Sequence, residues 1–70
     1  MIQENLIGKW VEVTLVNNKK WTGYLEEWDE EALFITNGVK FGEEGFKGSE
    51  CTNDEVKLVV TSETEEFSIS

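Results

Sequence analysis

From Trp10 the chain alternates with a period of two. Val11, Val13 and Leu15 share one face, and Trp10, Glu12 and Thr14 the other. That pattern predicts a strand with one buried side. Asn17-Asn18-Lys19-Lys20 follows, a polar run in which asparagine tolerates positive φ, and it predicts a turn between two strands. A second strand is expected from Trp21 to Trp28, with Gly23 and Leu25 continuing the inward face. A glycine inside a strand weakens it unless the backbone bends or is closely approached, so Gly23 marks a bend. Asp29-Glu30-Glu31 predicts the next turn. Ala32 to Thr36 predicts a third strand with Leu33 and Ile35 inward.

The pattern then lapses. Residues 37–54 hold Gly38, Gly42, Gly45 and Gly48 with several acids, and read as a long glycine-rich loop. Loops of this length in compact domains are commonly functional or mobile. Within it a brief hairpin through Val39-Lys40-Phe41 and Gly45-Phe46-Lys47 is expected. Alternation returns at Glu55 to Thr61, predicting a fourth strand with Val56, Leu58 and Val60 inward. Ser62-Glu63-Thr64 turns the chain into a short last strand ending at Phe67-Ser68-Ile69. Ahead of the strands, Ile2 to Ile7 predicts a short helix that turns Ile2, Leu6 and Ile7 toward a core and stops at Gly8. The expected architecture is therefore mainly β: one domain over residues 1–70, with a short N-terminal helix and a strongly bent, five-stranded antiparallel small barrel. Closure, or near closure, would remove exposed strand edges.

Composition narrows the chemistry. The 70 residues suit one domain with a modest core, which buries only about 60% of the surface its unfolded chain exposes. Net charge is −9, from 15 acids against six lysines and no arginine. Such a field repels polyanions and favours solubility. There is no histidine, and Cys51 is the one cysteine, so neither a thiol–imidazole pair nor an intrachain disulfide can form. The run Glu26-Glu27-Trp28-Asp29-Glu30-Glu31 is dense in carboxylates but lacks the alternating ligands and glycine of a calcium loop, and reads as a solvated turn. No enzyme activity, cofactor or metal is expected. The start of the chain has no basic segment followed by a long apolar run. Nothing approaches the roughly 20 apolar residues of a membrane span, so a cytoplasmic location without membrane contact is expected.

The segment LIGKWVEVTLVNNKKWTGYLEEWDEEALFI resembles the first sequence motif of the Sm/LSm family. Gly8-Lys9 follows the helix. Then come Val11-x-Val13-x-Leu15, the polar turn, Gly23-x-Leu25, Trp28-Asp29, and the apolar strand from Leu33 to Ile35. The match spans about residues 6 to 35. The resemblance implies a ring of about five to seven identical subunits, with the last two strands at opposite edges pairing between neighbours. It also implies binding of single-stranded, U-rich RNA.

By family position the RNA-binding residues are Asp29, Leu33, Thr61 and Ser62. The chain departs from the pattern there. No asparagine lies between Asp29 and Ile35, and Thr61-Ser62 stands where the family has Arg-Gly. Lys47-Gly48 is the alternative placement of that dipeptide, but it leaves some eight residues before the last strand, where the family uses a tight turn. Positive charge for RNA would come from Lys19, Lys20, Lys40 or Lys47. Trp10, Tyr24 and Trp28 lie opposite the apolar rows, so strict alternation makes them candidates for a partner-facing surface, where exposed aromatics need a cover. Two functions stay open: RNA binding in a ring, and an acidic protein-interaction or scaffold module on the same barrel. A monomeric small barrel of another lineage is the third possibility.

Overall fold

The computed structural model describes residues 2–69. Six strands form one antiparallel sheet: β1 (Trp10–Leu15), β2 (Lys20–Trp28), β3 (Ala32–Thr36), β4 (Gly48–Thr52), β5 (Val56–Thr61) and β6 (Ser68–Ile69). Their order is β4-β3-β2-β1-β5, with β6 on β2. The nine-residue β2 is the spine. Along one side it pairs with β1. Along the other, its second half pairs with β3 from Tyr24 onward, and Trp21 and Thr22 pair with β6.

The expected N-terminal helix is a single 3-10 turn, Glu4–Leu6 (η1). Six residues cannot repay the cost of nucleating an α-helix, and Gln3 supplies no side-chain cap. Gly8, at φ +89°, ends the turn, and Leu6 is buried as expected. The β1–β2 hairpin also follows expectation. Asn18 sits at φ +69°, and the Asn17 side chain accepts from the Lys19 N–H at 3.0 Å.

The long loop is shorter than its sequence suggests, because β4 lies inside residues 37–54. This strand, Gly-Ser-Glu-Cys-Thr, carries one buried apolar side chain, Cys51. Over Gly48 the rings of Phe34 and Phe46 supply the missing bulk: a Cβ there would come within 2.9 Å of Phe34 Cζ. The remaining loop, residues 37–47, is folded about Asn37 and holds turns where a brief hairpin was expected. Asn37 N–H donates to the Lys47 carbonyl at 3.0 Å and its amide donates to the Gly45 carbonyl at 2.8 Å. Its Oδ1 accepts from the N–H groups of Val39 and Lys47.

The sheet curls strongly without closing. β4 and β5 are its edges, and no ladder joins them among the described residues. A second 3-10 turn, η2 (Asn53–Glu55), carries the chain from one edge to the other. It is fixed by a capping box, in which Glu55 accepts from the Thr52 N–H and hydroxyl. At this seam the Asn53 N–H donates to the Glu31 carbonyl and the Val16 N–H to that of Glu55. Side chains also close the seam. The Trp28 indole N–H donates to Asn53 Oδ1 at 2.8 Å, and the Asn53 amide donates to the Asp29 carbonyl at 2.8 Å.

Two bulges decide which residues face the core. In β2 the register shifts between Leu25 and Glu27, so Glu26 is the extra residue and Trp28 turns inward. In β5 Leu15 faces Val56 while Thr14 faces Leu58, leaving Lys57 extra. Strict alternation puts Leu58 and Val60 inside. The bulge reverses this: Val59 is 3% exposed, Leu58 53% and Val60 41%. The core is Leu6, Val11, Val13, Leu15, Leu25, Trp28, Leu33, Ile35, Cys51 and Val59.

Gly23 is the tightest approach in this core. A Cβ on it would lie 3.0 Å from both Ile35 Cδ1 and the Thr36 carbonyl oxygen. Gly23→Ala forces β2 from β3 and is expected to cost about 1–3 kcal/mol. Urea unfolding checks this: the midpoint falls while the slope stays unchanged.

Candidate functional site

The residues singled out by family position do not come together. Asp29 is exposed, and its Oδ1 accepts from the N–H groups of Glu31 and Ala32, each at 2.9 Å. Those two donors, Ala32 first, hold its carboxyl below the ordinary aspartate range. Asp29 therefore shapes the β2–β3 turn. Leu33 is fully buried between its strand partners Trp28 and Cys51. Thr61 pairs with Val11, and the Ser62 N–H donates to the Trp10 carbonyl. The Ser62 hydroxyl serves its own turn, bonding Thr64. Asp29 and Leu33 stand beside η2, whereas Thr61 and Ser62 stand at the start of β1.

Of the three aromatic candidates, Trp10 and Tyr24 are half-buried on the outer face. They meet edge to face, with centroids 5.6 Å apart. Gly38 lies under Trp10, where a Cβ would fall 3.1 Å from Cζ2. Trp28 belongs to the core, turned there by the Glu26 bulge that sequence alternation alone could not reveal. The lysines are spread out. Lys40 and Lys47 lie in the 37–47 loop. Lys19 and Lys20 flank the β1–β2 turn, where Lys57 donates to Asn18 Oδ1 at 3.3 Å and Lys20 pairs with Glu12 at 3.5 Å. No group of three His, Cys, Asp or Glu side chains converges on one point among the described residues. No helix among them is long and apolar enough to cross a membrane.

Three surface features lay outside the sequence reading. The first is the free side of β5, with Leu58 and Val60 exposed at the edge of the sheet. The second is a cleft of about 160 Å³ along the seam, between β5 (Val56 to Val59) and Trp28, Asn53 and Gln3. The third is a cleft of about 220 Å³ on the outer face of β2, β3 and β4, lined by Glu27, Asp29, Ala32, Phe34 and Glu50. The first two follow from the Lys57 bulge. The last depends on β4, a strand with almost no apolar signature.

No family model, characterised protein or solved structure matches the chain.

Asn53 is the residue whose loss tests the seam. Asn53→Ala removes both side-chain hydrogen bonds and leaves the Trp28 indole N–H without its partner, an expected cost of about 1–3 kcal/mol. Tryptophan fluorescence should shift as water reaches Trp28, measured alongside the unfolding midpoint.

Cys51 gives a pH test of the core. Burial first, then the nearby charges of Glu55 and Glu50, push its thiol from 9.0 up to about 11. A raised folded value means that the unfolded chain loses the proton first. The contribution to stability is complete below pH 9 and is lost as pH rises toward 11. The stability difference between the native protein and Cys51→Ala should therefore shrink across that window. At pH 8 the folded thiol should react with a disulfide reagent far more slowly than the urea-unfolded one.

Proposed function

We propose that this chain is a small Sm-like β module that assembles edge to edge and serves as a protein-interaction scaffold. The observation that carries the reading is the pair of unpaired edges, β4 and β5, with Leu58 and Val60 exposed on β5. An unpaired strand edge is a template for another strand, and a chain this small gains much from covering it. The Sm/LSm resemblance joins subunits through their two edge strands. The edges in this fold are Gly48–Thr52 and Val56–Thr61, in place of the expected pair, the strand at residues 55–61 and the short last strand ending at Ile69. A homo-oligomeric ring is the assembly that pairs every such edge.

Interaction with protein is favoured over RNA by charge and placement. The subunit carries −9, Leu33 is enclosed in the core, and Asp29 is separated from Thr61 and Ser62. The two readings respond to salt in opposite directions. Bringing together subunits of −9 is opposed by mutual repulsion, so screening strengthens assembly. Phosphate contacts weaken as salt rises.

Light scattering on a sizing column at about 10 µM protein tests this. The expected mass is a multiple of 8.0 kDa that rises, or is held at lower protein concentration, as salt increases. Leu58→Lys with Val60→Lys, both already exposed, should return the mass to that of one chain without loss of the β-sheet circular dichroism. A native protein that stays at 8.0 kDa at every salt and concentration overturns assembly. Tight oligo-U binding that weakens with salt would instead establish the RNA reading.

A further inference from the structure

On the outer face of the sheet Glu27 pairs with Phe34 across β2 and β3, and Phe34 pairs with Glu50 across β3 and β4. Directly opposed residues on antiparallel strands place their Cβ atoms about 5 Å apart on the same face. Phe34 therefore stands in one row with two glutamates, one on each neighbouring strand. Together with Asp29 and Ala32 these residues line the cleft of about 220 Å³.

The ring is held from the other side. It packs over Gly48, and Phe46 lies against it with centroids 6.5 Å apart. Phe46 in turn meets Phe41 edge to face at 5.4 Å, so an apolar track runs from the sheet to the tip of the 37–47 loop. Phe41 is 87% exposed there. Neither Glu27 nor Glu50 takes part in an ion pair or side-chain hydrogen bond among the described residues. Asp29 adds a third negative charge at the rim, with only its Oδ1 committed to the turn.

We propose that this cleft seats an arginine side chain from a basic segment of a partner protein, with the guanidinium over Phe34 and between Glu27 and Glu50. An aromatic ring attracts a cation to its face, and a guanidinium stacks on it while its N–H donors reach carboxylates to either side. The chain itself has no arginine and is strongly acidic, so the complementary group comes from outside and is steered in by the net charge. The apolar track gives the same segment a place for a neighbouring hydrophobic side chain. The proposal rests on reading the chain as an interaction module, but not on its edge-to-edge assembly.

The test is fluorescence anisotropy of a labelled peptide of alternating arginine and glycine at about 0.15 M salt, with lysine and glutamate versions for comparison. The expected order is arginine tightest, lysine weaker and glutamate unbound. Glu27→Gln with Glu50→Gln should weaken the arginine peptide about tenfold, and Phe34→Leu about threefold. Glu63→Gln with Glu65→Gln removes the same charge outside the cleft and should change it less than twofold. Equal losses in the two double variants would reduce the effect to the overall field and overturn the site. So would an absence of binding by the native protein. Circular dichroism confirms that each variant is folded. Its sizing mass keeps the outcomes separate, since peptide binding by a chain that stays single defeats assembly alone, and lost binding in an assembled variant concerns the cleft alone.

Discussion

Asn53 holds the two ends of the curled sheet in one place. Its backbone N–H donates to the Glu31 carbonyl, its Oδ1 accepts from the Trp28 indole, and its amide donates to the Asp29 carbonyl. One residue thereby ties the end of β2 and the β2–β3 turn to the point where the chain passes from β4 to β5. The tie works together with the three-residue link from β4 to β5 and the Thr52–Glu55 capping box. Its side chain gives the buried Trp28 indole its hydrogen-bond partner at the place where η2 carries the chain from one sheet edge to the other.

The two bulges work within that frame. Each adds one residue to one strand and reverses the facing of everything after it. In β2 the reversal brings a tryptophan into a core otherwise built from aliphatic residues and Cys51. In β5 it does the opposite, sending Leu58 and Val60 outward and bringing Val59 in. The interior gains a large aromatic ring, and the β5 edge gains an apolar surface.

Much of the sheet was legible because its signals were local. The alternation of Val11, Val13 and Leu15, the Asn17-Asn18 turn and the Gly23-x-Leu25 step each fix a short stretch of backbone without reference to the rest. What escaped depended on contacts distant in sequence. β4 is a strand because Phe34 and Phe46 fill the space over Gly48 and because β3 offers it an edge, and none of that is written in Gly-Ser-Glu-Cys-Thr. The same holds for the site. Glu27, Phe34 and Glu50 form one row only after β4 is placed and the Glu26 bulge is known. Thr61 and Ser62 do end the strand expected there, but its antiparallel register on β1 sets them beside Val11 and Trp10, away from Asp29 in the β2–β3 turn.

The clasp around Asn37 separates the 37–47 loop from the sheet beneath it. Four hydrogen bonds gather at its base, joining Asn37 to Val39, Gly45 and Lys47. β3 and β4 are thus brought to pairing distance by the base, whatever lies at the tip. Gly42 and Gly45, both at positive φ, have open space around them and support nothing in the core. A chain built this way can vary in length and chemistry at the tip while keeping its architecture, so the loop is the natural ground on which copies of this domain would diverge in what they recognise.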